Sequence, residues 1–232
     1  MKTQHINIHG IPIIYVDQEQ EWNELLNHVK PKKIMFLSHG LYSKKEDNIK
    51  ELELLAQNGL TAIGIDNYAH GERSQDLNDE NHINQCIERS AHDIIRLIDF
   101  FQTKCRCKLG FGMMGISLGG MITYMVASLD PRLEVAVPIL GRPDWPSINS
   151  PHLRSQDFKN CKMLVITAGK DVNVPPESSR EFYYNLKQFV AHSPDQFQYI
   201  EYSESSHFMR EQDWFDAMDN LEAFLSKWNA RI

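Results

Sequence analysis

The chain of 232 residues is 42% hydrophobic and 24% charged, enough for one α/β domain over residues 1–232 whose core needs no disulfide or metal staple. A formal net charge of −7, with no clustered Lys/Arg face, excludes the footprint of a nucleic-acid binder.

In chain order, residues 1–8 show neither a long apolar h-region nor a small-residue cleavage site. No stretch approaches the ~20 apolar residues of a membrane span, so a cytoplasmic protein with no membrane partner is expected. His5 to His9 and Ile11 to Val16 flank Gly10, the pattern of an antiparallel hairpin. Lys30, Lys32 and Lys33 read as a solvated turn before the unbroken apolar run Ile34 to Leu37, which suits a strand buried on both faces. Ile49 to Asn58 has helical spacing and a stop at Gly59. A strand over Leu60 to Ile65 ends at Asp66, and Ile83 to Thr103 is a long amphipathic helix. There follow a strand (Lys108 to Ile116), a helix (Leu118 to Leu129) and strands at Leu133 to Leu140 and Lys162 to Ala168. A helix over Ser178 to Ala191, a strand over Phe197 to Tyr202 and a helix over Asp213 to Trp228 close the chain. An antiparallel start followed by repeated β-α units implies a mostly parallel sheet with helices on both faces. The Pro-, Ser- and Asn-rich stretch 141–160 is too short for a domain and is expected to form a small cap. Cys86, Cys105, Cys107 and Cys161 fit no zinc spacing and read as free thiols of a reducing compartment.

The strongest local signal is Gly115-Ile116-Ser117-Leu118-Gly119, between a strand and a helix. A nucleophile on a sharp strand-to-helix turn projects its hydroxyl above the sheet, and glycines on either side avoid clashes there. The blander reading is a serine that caps the helix. A serine hydroxyl needs a base. Of ten histidines, His207 alone follows the last strand in a loop, at the sheet edge where Ser117 emerges. Asp171, after the strand ending at Ala168, is the expected carboxylate that orients the imidazole; Asp144 is its rival, one strand earlier between prolines. The oxyanion hole is expected from the backbone N–H groups of Leu118 and Leu41. His39 could be a second base, but a hydrogen-bonding role in its loop is simpler. Trp145, Pro143, Pro146 and Ile148 fall in the cap, and Trp145 is as suited to a substrate wall as to packing. Met113 and Met114 lead into the elbow; core packing is their simpler role, with Met114 a candidate pocket residue.

In order, His39-Gly40, the stretch Asp66 to Ser74, the elbow and the Asp171/His207 pair resemble the α/β-hydrolase superfamily over nearly the whole chain. Ala69 stands where the D-x-x-G-x-G-x-S loop of that superfamily usually has glycine. Small size and Asp171-x-x-Val174-Pro175 are similar to compact bacterial esterases related to the prolyl-oligopeptidase catalytic domain and dienelactone hydrolases. Dienelactone hydrolases proper use a cysteine nucleophile, and no cysteine lies in this elbow. The resemblance implies a serine hydrolase, a carboxylesterase for small acyl esters with a small-molecule acyl substrate as its partner. No metal or organic cofactor is needed for that chemistry. A peptidase or thioesterase with the same machinery and a non-catalytic binding protein on the same fold are the alternatives.

Overall fold

A computed structural model describes residues 1–75, 82–144, 158, 161–189 and 196–230. The hairpin forms as read, with β1 (Lys2–Ile8) antiparallel to β2 (Ile11–Asp17). Then come α1 (Trp22–Asn27), β3 (Lys32–Ser38), α2 (Ile49–Gln57) and β4 (Thr61–Ile65). The long helix α3 (His82–Lys104) leads to β5 (Leu109–Ile116), α4 (Leu118–Leu129) and β6 (Leu133–Ile139). The chain ends on β7 (Lys162–Ala168), α5 (Glu177–Phe189), β8 (Phe197–Tyr202) and α6 (Glu211–Asn229).

The strands form one eight-stranded sheet in the order β1-β2-β4-β3-β5-β6-β7-β8. β2 runs antiparallel to β4, and every pairing from β4 to β8 is parallel. This is the α/β-hydrolase arrangement. Alternating residues of the central strands feed two cores, because successive side chains point to opposite faces. Ile34, Phe36, Ile63 and Met113 join Ile94 and Phe101 of α3 and Ile122 of α4 on one face. Met35, Leu37, Ala62 and Met114 join Leu52 and Leu55 of α2 and Leu221 and Leu225 of α6 on the other. The unbroken apolar run of β3 is thus divided between the two layers, as a doubly covered parallel strand requires.

One reading needs correction, and one helix is added. Lys32 and Lys33 do not lie in a solvated turn; they begin β3. Lys32 pairs with Asp17 at 2.9 Å. Lys33 is buried, its ammonium donates to the Trp228 carbonyl at the end of α6, and it lies 4.7 Å from the Trp228 ring centroid. A cation at a helix C-terminus meets the negative end of the helix dipole. The short helix α1 has no long apolar period. It is held by Trp22, which stacks on Phe100 and meets Tyr15 and Phe101 edge-on. The cap expected over 141–160 lies largely outside the described residues, and with it Trp145, Pro146 and Ile148.

Candidate active site

β5 runs directly into α4 through Ser117, which sits at φ 57° and ψ −112°. That left-handed backbone is uncommon for a residue with a side chain. It persists because neighbours hold it from several sides. The Ser117 N–H donates to the Ile139 carbonyl at 2.8 Å, fastening the elbow to the end of β6. A Cβ on Gly119 would lie 2.0 Å from the Ser38 carbonyl oxygen, and one on Gly115 2.0 Å from the Gly119 carbonyl oxygen. Both positions are therefore closed to any side chain.

The loops after β7 and β8 emerge at the same sheet edge and are tied together by backbone. The N–H groups of Gly169 and Lys170 donate to the carbonyls of Tyr202 and Ser205 at 2.9 and 2.8 Å. Ser205, buried, donates to Asp213 at 2.6 Å and accepts the Arg210 N–H, which anchors the second loop to α6. On this frame three side chains meet. The Ser117 Oγ lies 2.9 Å from His207 Nε2, and His207 Nδ1 lies 2.7 Å from Asp171 Oδ2. Asp171 is buried, and its other oxygen accepts the N–H groups of Asn173 and Val174, both at 2.9 Å. Every direction but the one toward His207 is thus fixed. Asp144, the rival acid, instead forms a two-pronged pair with Arg142 at 2.6 and 2.7 Å, and that guanidinium holds its carboxyl below the usual range.

Ser117 and His207 open into a cavity of about 850 Å³. Its walls include Leu41, Ile83, Met121, Leu140 and Val174, with Tyr42 and Phe208 contributing exposed rings. Leu41 and Leu118 both line it. A Cβ on Gly40 would touch the Ser117 Cβ at 3.7 Å, so the backbone leading into Leu41 passes beside the elbow. Met114 does not line the cavity. It is fully buried in the opposite core, because its neighbour in the β5 alternation, Met113, takes the other face. The methionine at the cavity is Met121 on α4, one turn beyond the elbow, where a helical register would have found it.

His39 is fully buried. The Asn67 N–H donates to its Nε2 at 3.1 Å, which leaves the proton on Nδ1 to donate to the Gly40 carbonyl at 2.7 Å. Burial pushes its pKa down to about 4, with His70 adding to the shift. Both ring nitrogens are occupied in shaping the loop, so His39 is not placed as a base to Ser117. The same loop is pinned by Lys45, whose ammonium reaches buried Asp66 at 2.8 Å. Lys45 does not stand out in the sequence as loop support; a lone lysine in a polar loop carries no signal of burial. Ala69 has a left-handed backbone, at φ 62°, a conformation that favours glycine.

Among the described residues one group of metal-ligating type is close-set, His5, Glu46 and Glu72. The Lys45 ammonium already lies 2.8 Å from Glu46 and 2.6 Å from Glu72, a fixed cation that would repel a metal ion there. All four cysteines are free thiols; burial raises the pKa of Cys86 and pushes Cys105 up to about 11. No helix among the described residues is long and apolar enough to cross a membrane.

Known proteins resemble this chain in sequence and in fold. Residues 28–231 match the model of the dienelactone hydrolase family. YitV of Bacillus subtilis, named as a candidate esterase, is 21% identical over 93% of this chain and 98% of its own. A Thermus thermophilus protein superposes with a TM-score of 0.71 at 16% identity, covering 97% of this chain and 99% of the other. A Pyrococcus furiosus esterase gives a TM-score of 0.71 at 15% identity, over 97% and 92% of the two chains. Est1E of Butyrivibrio proteoclasticus, solved with ferulic acid bound, gives 0.69 at 15% identity over 98% and 100%. The chain belongs to the dienelactone hydrolase family, a family of hydrolases, and has an α/β-hydrolase fold.

Proposed function

We propose that the protein is a serine carboxylesterase that works through an acyl-enzyme. Ser117 attacks the ester carbonyl while His207 Nε2 takes its proton, and Asp171 holds the imidazole in the tautomer that leaves Nε2 free to do so. The N–H groups of Leu118 and Leu41 receive the oxyanion. Leu118 suits that task because it is the first residue of α4, where the helix makes no use of its own N–H, and because the helix dipole favours negative charge there. His207 then passes the proton to the leaving alcohol, and water retraces the steps to release the acid.

The observation that carries this reading is the chain Ser117–His207–Asp171, with both hydrogen bonds at 2.9 Å or below. A serine in the elbow, rather than the cysteine of dienelactone hydrolases proper, makes the intermediate an ordinary ester. The cavity favours an uncharged acyl group: His207 apart, Asp47 is the one side chain of a type charged at neutral pH among its described lining residues. Replacing Ser117 by alanine should lower the turnover of p-nitrophenyl esters by at least about 10³-fold and abolish fluorophosphonate labelling, with the melting temperature little changed. Retained turnover in that variant would sink the assignment.

A further inference from the structure

Tyr42 occupies a position that the fold itself would give to glycine. The Ser43 N–H donates to the Gly40 carbonyl at 3.3 Å, closing a four-residue turn over Gly40, Leu41, Tyr42 and Ser43. Tyr42 is the third residue and has φ 60°, whereas Leu41 is not among the positive-φ residues. That is the pattern of a type II turn, whose third position prefers glycine because a Cβ is strained there. The strain is not offset by packing, since Tyr42 is 88% exposed. No hydrogen bond of its hydroxyl holds it in place among those described. Its ring nonetheless lines the Ser117 cavity, and so does Phe208, 86% exposed and next to His207.

Strain concentrates at this cavity. Of the five non-glycine residues with positive φ among those described, Ser117, Tyr42 and Leu140 all line it. Strained backbone persists where the side chain it presents has work to do. Two nearly bare aromatic rings at the mouth of a largely apolar cavity offer broad apolar contact surface to a ligand. The cavity, at about 850 Å³, also leaves room for more than a short acyl chain.

We propose that Tyr42 is a specificity-determining residue, which with Phe208 forms an aromatic clamp on the extended apolar or aromatic acyl group of an uncharged ester. This rests on the serine-esterase reading above. The clamp gains its contact only when the acyl group is long enough to reach the mouth, so its removal should act on long esters through KM more than kcat.

The test compares kcat and KM for p-nitrophenyl acetate, octanoate and benzoate in the native protein, Y42G, Y42F and F208A, with melting temperatures and fluorophosphonate labelling. Expected is a fall of at least tenfold in the octanoate-to-acetate and benzoate-to-acetate ratios of kcat/KM in Y42G and in F208A. Y42F should hold the native ratios, because the ring and not the hydroxyl makes the contact. Y42G should melt no lower than the native protein, as glycine relieves the turn. Unmoved ratios in Y42G and F208A overturn the clamp while labelling of the native protein leaves the serine reading standing. An equal loss on all three esters with a lower melting temperature in Y42G also overturns it, since Tyr42 would then be structural. A native protein that takes no label removes the serine reading, and the clamp with it.

Discussion

At the residue scale, the informative detail is how the two oxygens of Asp171 are divided. Oδ1 is committed to the N–H groups of Asn173 and Val174, and Oδ2 to His207. In Asp171→Asn the amide oxygen would keep the two backbone donors, which turns the amide N–H toward His207 Nδ1. The ring can accept that bond only by moving its own proton to Nε2, the atom that must receive the Ser117 proton. The variant should therefore fold and bind as before while kcat for p-nitrophenyl esters drops by roughly 10³–10⁴-fold. Matching melting curves beside that loss would separate it from unfolding. Activity within a few-fold of native would mean that Asp171 does not set the tautomer of His207.

At the scale of elements, the elbow is a packing problem before it is a chemical one. α4 begins so close to β3 that a methyl on Gly119 would lie 2.0 Å from the Ser38 carbonyl oxygen and 2.9 Å from that of His39. Both obstacles are backbone and neither can swing aside. Gly119→Ala should cost on the order of 3 kcal/mol, at or beyond the upper end of the ordinary overpacking range, read as a lower urea midpoint. It should also displace the Ser117 hydroxyl, so that labelling slows even in the folded fraction. An unfolding free energy within about 0.5 kcal/mol of native, the range of a neutral surface change, would contradict the close approach.

The same scale explains what was legible in the sequence. The elements that carry a period of their own, such as α4 and β7, lie where the apolar pattern puts them, and so do the loops bearing Ser117, Asp171 and His207. What escaped notice depends on partners distant in sequence. α1 exists because Trp22 stacks on Phe100 of α3, and Lys33 is buried because α6 ends above it. Met121 rather than Met114 reaches the cavity because alternation along β5 and the first turns of α4 decide which methionine faces it.

At the scale of the whole molecule, the loop after β3 is held to β4 by groups whose protonation is coupled to folding. His39 is buried neutral, its pKa pushed down to about 4 by burial and by His70, whose ring centroid is 5.4 Å away. An unfolded histidine takes up its proton near pH 6.5, whereas the folded one resists until about pH 4. Between those values the unfolded chain binds more protons, so stability falls as the pH drops through that window. The full difference corresponds to about 3 kcal/mol. Asp66 and Asp17 act lower. Burial opposes their ionisation, but the bonds from Lys45 to Asp66 and from Lys32 and Thr61 to Asp17 outweigh it and hold both below their ordinary value. Their stabilisation is present above about pH 4, near the unfolded carboxyl value, and is lost as the pH falls below it. Urea midpoints taken from pH 7.5 to 4 should thus decline between 6.5 and 4, with a further loss beneath. His39→Gln, which has no proton to gain, should be less stable at pH 7.5 and should lose much of the slope between 6.5 and 4. A native profile that stays flat across that window, or a variant with the native slope, would place the pH dependence elsewhere and leave the loop that carries Leu41 and Tyr42 without its titrating anchor.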